Sequence, residues 1–187
     1  MKRILRVSSG LMVGVALLAS STFAEVIEFT DKDEWIAAVG DYTTIDFTGY
    51  THGERITNQY RGLGVLFTDC YVTFDFYWGA YPNDGWGVDG NSGIHLEFDE
   101  PQLWIATDFP GALGFKLFDH GNLIYASVLM VPRPFAGLLS DAPFDEVIIW
   151  CDFDNQVNAD DLYFGVPAPG ALPLISLTFL FVRCRRA

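Results

Sequence analysis

Acidic and amide side chains are concentrated near the end of the predicted fold, where they could bind a metal ion. Asp160 and Asp161 begin the last predicted strand, Asp154 precedes them in a loop with two asparagines, and Asp46 lies in an early strand. Calcium prefers about six to eight hard oxygen ligands from carboxylates, carbonyls and amides. We therefore predict a structural Ca²⁺ ion held by Asp46, Asp154, Asp160 and Asp161. In the alternative, Asp160 is a solvated turn residue and Asp161 accepts hydrogen bonds from backbone N–H groups at a strand start.

Aromatic residues are dense between residues 71 and 86, and glycines and a proline make the second half of this segment a loop. Exposed Trp and Tyr rings stack on the CH faces of sugars, while neighbouring amides and carboxylates bind hydroxyl groups. We predict a sugar-binding surface formed by Trp78, Tyr81, Asn83, Asp84 and Trp86. In the alternative, these rings cover one end of the domain. Phe74 and Phe76 alternate with polar residues, which favours a place in the core.

Two cysteines, Cys70 and Cys151, fall in the predicted domain. In an exported domain two thiols can form one disulfide, which we predict here, with two buried free thiols as the alternative.

Motifs typical of hydrolases are missing, because the chain has no Gly-x-Ser-x-Gly and no His-Glu-x-x-His. Its three histidines, His52, His95 and His120, show no zinc-ligand spacing. We expect a protein that is not an enzyme. A pair of carboxylates for glycoside hydrolysis remains a third alternative, because the fold rather than the spacing sets such a pair.

The charge of the chain is strongly segregated. All 24 acidic residues lie between Glu25 and Asp161, whereas residues 25–165 hold only five of the 11 basic residues, so this part carries a formal net charge of −19. A surface this negative repels phosphate backbones, which argues against nucleic acid as a partner. It suits cations, neutral sugars or a basic partner.

One helix and many short strands must position these residues. Thr30 or Asp31 can cap a helix in which Asp33 and Glu34 suit the positive end, and Gly40 ends it. Trp35, Ile36 and Val39 share one face of this helix. The remaining segments are short, apolar and polar residues alternate along some of them, and Gly, Pro, Asn and Asp residues separate them. The predicted strands are Val26–Phe29, Thr43–Phe47, Arg55–Gln59, Val65–Thr68, Tyr71–Phe76, Ser92–Phe98, Leu103–Asp108, Ala112–Phe118, Leu123–Val131, Pro134–Leu139, Val147–Cys151 and Asp161–Phe164. This pattern predicts an all-β, antiparallel, jelly-roll-like sandwich over residues 25–165 with one short N-terminal helix.

The first 24 residues are typical of a secretory signal helix. Basic residues precede a short apolar run, and Thr22-Phe23-Ala24 places small residues at the positions that signal peptidase recognises. We expect cleavage after Ala24; an uncleaved anchor is the alternative, although the apolar run is shorter than the roughly 20 residues of a spanning helix.

The last segment, residues 166–187, begins with prolines that break the preceding strand and continues as an uncharged apolar stretch, predicted to be helical. It closes on a basic cluster, which favours retention of that end in the cytoplasm. The residues that carry this pattern are Pro167, Pro169, Arg183, Arg185 and Arg186.

The order of two prolines, an apolar stretch and a terminal basic cluster resembles the PEP-CTERM sorting signal of Gram-negative bacteria. Ala168 stands where that family usually has Glu. The resemblance implies that an exosortase-type enzyme processes a precursor that is exported through the inner membrane and anchored transiently by its C-terminal segment. The product would reach the cell surface or the extracellular matrix. A plain tail anchor is the alternative.

The domain is also similar to a recurrent β-sandwich that accompanies this sorting signal. Matching stretches include Thr44–Gly49, Ile56–Tyr60, Leu113–Phe115, Phe135–Asp141 and Asp160–Gly165. The resemblance implies a fold like that of carbohydrate-binding modules. Some of these hold one structural calcium ion between a C-terminal Asp-Asp strand and an acid near the N-terminus, which here are Asp160, Asp161 and Asp46. We therefore expect an exported, non-catalytic surface or matrix protein, with a calcium-bearing, polysaccharide-binding module as the alternative.

Overall fold

A computed structural model describes residues 24–74, 85–108, 113–127, 134–150 and 157–165. Within these ranges the chain is dominated by antiparallel strands, which confirms the all-β class. The elements are β1 (Val26–Phe29), α1 (Lys32–Ala38), β2 (Thr43–Ile45), β3 (Arg55–Ile56), a 3-10 turn (Arg61–Leu63), β4 (Val65–Phe74), β5 (Trp86–Asp108), β6 (Gly114–Asp119), β7 (Asn122–Ala126), β8 (Phe135–Trp150), β9 (Val157–Ala159) and β10 (Leu162–Gly165).

The two predicted terminal helices fall on residues 1–23 and 166–187, outside the described residues. Among the residues that are described, no helix has the length and apolar character needed to cross a bilayer.

The two longest strands, β5 and β8, organise the whole sheet because each takes part in two groups of strands. In one group, the helix half, the order is β2, β10, the C-terminal part of β5, the N-terminal part of β8, and β1. In the other, the hairpin half, the N-terminal part of β5 pairs with β4 and β9, and the C-terminal part of β8 pairs with β6. The β5–β8 register shifts on both sides of Gln102, where one half gives way to the other.

A single large hydrophobic cluster joins the two halves. Ile105, Leu138 and Phe164 of the helix half belong to the same buried cluster as Ile94 and Phe115 of the hairpin half. Residues at alternate positions of the helix half, such as Trp104 and Ala106, belong to a second cluster on its other face. The helix half is therefore buried on both faces, which explains its nearly continuous hydrophobic character.

The helix covers this second cluster. Asp31 caps it, as predicted, by accepting a hydrogen bond from the Glu34 backbone N at 3.0 Å, and Trp35 is fully buried. The close approach of α1 to β8 depends on Gly137 of β8, because a Cβ atom there would lie 2.5 Å from Trp35 Cδ1. Ile36 departs from the predicted helix face and is 37% exposed.

Several predicted strands merge in the structure. Val65–Thr68 and Tyr71–Phe76 belong to one strand, because a bulge at Asp69, with φ of 54°, absorbs the irregularity without ending the pairing. Residues predicted as two strands also merge in β5 and again in β8. The short strand β9 was not predicted.

Candidate functional site

A cluster of potential metal ligands lies where the β6–β7 hairpin meets β8. His120 and Gly121 form the hairpin turn with φ values of 50° and 75°, the positive values that a type I′ turn requires. The ligand atoms of Asp119, His120 and Asp145 all lie within 4.8 Å of one another. Pairing of Phe118 in β6 with Glu146 in β8 brings Asp145 beside the turn.

Hydrogen bonds hold this turn cluster in shape. The His120 backbone N donates to both carboxylate oxygens of Asp145, at 3.0 and 3.2 Å. The His120 Nδ1 lies 2.6 Å from Asp119 Oδ1 and 3.7 Å from Asp145 Oδ2. The hydrogen bond with Asp119, and then the charges of Asp119 and Asp145, raise the pKa of His120. A protonated imidazole and the two carboxylates therefore stabilise one another.

Beside the turn cluster lies an open acidic groove of about 230 Å³. Its lining residues are Glu97, Phe98, Gly121, Asp145 and Glu146. Glu97 and Glu146 are direct partners across β5 and β8, so two carboxylates face the same surface. The groove and the turn cluster share Asp145, and together they form a negatively charged face that attracts cations.

Lys32, Asp108, Asp161 and Tyr163 form a second polar cluster between the helix and the sheet. The Lys32 Nζ lies 2.7 Å from Asp108 Oδ2 and 2.6 Å from the Tyr163 hydroxyl oxygen. The Tyr163 hydroxyl lies within hydrogen-bond distance of Asp108 Oδ2, at 2.7 Å, and of Asp161 Oδ2, at 2.9 Å. Burial, followed by the hydrogen bond with Asp108, raises the pKa of Tyr163. This cluster ties α1 to β5 and β10.

The predicted calcium ligands occupy three different settings. Asp46 accepts hydrogen bonds from the Thr48 backbone N and hydroxyl, at 3.1 and 3.0 Å. Asp160 is buried, with its backbone N donating to the Asp108 carbonyl at 2.7 Å, and Asp161 Oδ2 lies 2.9 Å from the Tyr163 hydroxyl oxygen. The pairing of Leu162 with Ile45 puts Asp161 and Asp46 at adjoining strand ends. In the part of the chain that the structure describes, these residues do not form a compact group of three ligands, and Asp154 lies outside that part.

Most of the predicted sugar-binding surface falls on residues 75–84, outside the described ranges. These residues are Trp78, Tyr81, Asn83 and Asp84. Trp86 lies within the described residues, is partly buried and packs on the main hydrophobic cluster. The centroid of its ring lies 4.8 Å from that of its cross-strand partner Phe74. The expectation that Phe74 is a core residue was wrong, because this ring is 38% exposed at the end of β4.

Cys70 is buried, and among the described residues its thiol has no disulfide partner; its Sγ lies 3.2 Å from the Thr68 carbonyl oxygen. Burial raises the pKa of the Cys70 thiol to about 12. Its predicted partner Cys151 lies outside the described residues, as do the predicted sorting residues between Pro167 and Arg186. The disulfide and the sorting signal therefore stay predictions.

The turn cluster was not predicted from the sequence. Asp119-His120-Gly121-Asn122 has the composition of a tight hairpin turn and could have pointed to it. Asp145 is distant in sequence and reaches this turn only through the pairing of β6 with β8. No protein-family model, no curated protein and no solved structure matches this chain.

Proposed function

We propose that this chain is an exported, non-catalytic β module with a jelly-roll-like sandwich fold, acting at the cell surface or in the extracellular matrix after exosortase-type sorting. One observation carries the proposal. The described strands, from β1 at Val26 to β10 at Gly165, build an antiparallel β domain within the span that the sequence assigns to the exported part of the chain. Residues 25–165 also carry a formal net charge of −19, and this acidic β domain is the product that we propose.

A non-catalytic role is favoured by how the ionisable groups between the helix and the sheet are used. Lys32, Asp108 and Tyr163 contact one another and join the helix to the sheet. The acidic face around the turn cluster is open to solvent, as suits contact with cations or a large ligand rather than enclosure of a small substrate.

Fractionation of the full chain tests the proposal in a Gram-negative host with and without its exosortase gene. We expect the product at the surface or in the medium when the enzyme is present, and a membrane-bound precursor when it is deleted. Changing Arg183, Arg185 and Arg186 to glutamine should reduce retention of the precursor in the membrane. A control with Arg55, Arg61 and Lys116 changed to glutamine removes the same charge from the domain and should fractionate normally. Recovery of every form from the cytosol, with residues 1–24 intact, would reject the proposal.

The second candidate is a carbohydrate-binding module, favoured by the exposed Phe74 ring beside Trp86 at the base of the aromatic-rich segment. A panel of soluble polysaccharides should quench tryptophan fluorescence and slow the protein in affinity gels. Replacing Trp78 and Tyr81 with alanine should abolish both effects. Leu123→Ala, at a residue 45% exposed on β7, is the control and should bind normally. Unchanged binding by the aromatic variant would remove this surface from consideration.

The calcium ion of this second candidate is tested separately. Asp46, Asp154, Asp160 and Asp161 offer the oxygen ligands that Ca²⁺ prefers, whereas the imidazole of the turn cluster suits Zn²⁺ or Mn²⁺ better. A thermal midpoint that rises with Ca²⁺ and loses this response in Asp161→Asn would support the predicted site. A response to Zn²⁺ that His120→Asn removes would assign the metal to the turn cluster instead. No shift with either ion, and no bound ion in native mass spectra, would reject both.

A further inference from the structure

The start of β1 is held by two reciprocal contacts between Glu25 and Asp141. The Glu25 backbone N donates to Asp141 Oδ1 at 2.8 Å, and the Asp141 backbone N donates to the Glu25 carbonyl oxygen at 3.1 Å. The next pair along the ladder is Val26 with Ser140. A side-chain carboxylate therefore already faces the nitrogen of the first residue after the predicted cleavage site.

We propose that Asp141 binds the new amino terminus that signal-peptide removal creates at Glu25. This inference rests on the export step of the proposed function. Hydrolysis of the Ala24–Glu25 peptide bond consumes one water, leaves a carboxylate on Ala24 and turns the Glu25 nitrogen into an ammonium group. In the docked strand that nitrogen lies 2.8 Å from Asp141 Oδ1, so the processed chain offers this carboxylate a charged donor where the precursor offers a neutral N–H.

The contact matters because β1 has one described strand partner, β8. While the leader is attached, the Ala24 backbone N also donates to the Ile124 carbonyl oxygen at 3.0 Å. The processed chain lacks Ala24 and therefore this bond. The ion pair between the Glu25 ammonium and Asp141 replaces the lost restraint at the same end of the strand. A positive charge is also favourable on a domain with a formal net charge of −19.

The same contacts order the events of maturation. The Ala24 N, the Glu25 N and the Glu25 carbonyl are all hydrogen-bonded to the domain once β1 has docked. A peptidase needs this backbone free and extended in its own cleft. Cleavage therefore precedes docking of β1, and docking then captures the new terminus.

Hydrogen exchange of the β1 amides in the full chain tests this inference. The processed product is compared with a precursor retained by Ala24→Tyr, which places a large residue at the cleavage site, each with and without Asp141→Asn. In the processed chain we expect Asp141→Asn to lower protection of β1 by about two- to fivefold more than in the precursor, the range for an exposed ion pair. The extra loss should shrink in 1 M NaCl, at roughly 3 Å screening length, because an ion pair is screened.

Asp99→Asn is the matched control, because its exposed carboxylate contacts Arg61 at 3.8 Å and should affect β1 equally little in both forms. Equal effects of Asp141→Asn in the processed chain and the precursor would overturn the inference and leave export intact. A secreted product that does not begin at Glu25 would instead contradict the cleavage site itself. The mass of the product separates these two failures.

Discussion

Removal of one hydroxyl group, in Tyr163→Phe, tests how the helix is attached to the sheet. Tyr163 is 3% exposed, and its hydroxyl lies 2.7 Å from Oδ2 of Asp108, a residue 4% exposed. Phenylalanine keeps the ring contacts with Trp35 and Tyr42, at centroid distances of 5.9 and 5.7 Å. The substitution therefore removes polar contacts and leaves the packing in place.

The expected cost follows from the partners that remain. A hydrogen bond to a charged group contributes about 1.5–3 kcal/mol, and its loss is most costly where the remaining partner is buried. Lys32 still contacts Asp108 at 2.7 Å, so the carboxylate keeps one strong partner. We expect Tyr163→Phe to lower the free energy of unfolding by about 2 kcal/mol, which shifts the urea midpoint by about 1 M.

Tyr125→Phe is the matched control, because the Tyr125 hydroxyl also contacts a carboxylate, that of Glu28, but at an exposed position. Urea unfolding of both variants, followed by tryptophan fluorescence, should show a cost for Tyr125→Phe below about 1 kcal/mol. Equal costs for the two variants, or a cost of Tyr163→Phe under about 0.5 kcal/mol, would refute the structural importance of the cluster.

The same variant predicts a change at alkaline pH. Because the folded-state pKa of Tyr163 is raised, its contribution to stability is complete below the ordinary pKa of 10.0 and is lost as pH rises through the folded-state value. The free energy of unfolding of the unmodified chain should therefore fall above about pH 10. Tyr163→Phe should make this fall with pH less steep, by the amount that corresponds to about one bound proton.

Two further predictions concern close packing and the turn cluster. Gly137→Ala should destabilise the protein by about 1–3 kcal/mol, because the new methyl group meets Trp35, whereas Gly62→Ala, with no atom within 4 Å, should cost under about 0.5 kcal/mol in urea unfolding. NMR titration of His120 should give a pKa above 6.5, and Asp119→Asn should lower this pKa. The contribution of the Asp119–His120 pair to stability should be lost as pH rises through the folded-state pKa. An unchanged titration in Asp119→Asn would contradict the assigned pairing.

Local features of the fold could be predicted from the sequence because their causes are local. The cap at Asp31 lies within one helical turn of its partner, and the strand Val26–Phe29 has the predicted limits. Merged strands could not be predicted, because Asp69 carries a turn-like composition while pairing with neighbours continues around it. Local sequence cannot show which irregularities a neighbouring strand will accommodate.

The candidate site was harder to predict because its parts are distant in the chain. Asp119 and His120 are adjacent, but Asp145 reaches them only through the β6–β8 register. Tyr163 and Lys32 likewise meet across 131 positions of sequence. Alternation correctly suggested that one face of a strand is buried, yet it could not show that Phe74 lies at the strand end, where the core no longer covers it.

The most direct test of the central claim is the intact mass of the native protein isolated from its own cells, together with the fraction that contains it. An exported β module processed at both ends predicts a product that starts at Glu25, has lost its C-terminal segment and is found at the surface or in the medium. A cytosolic protein that retains residues 1–24 and 166–187 would contradict the claim.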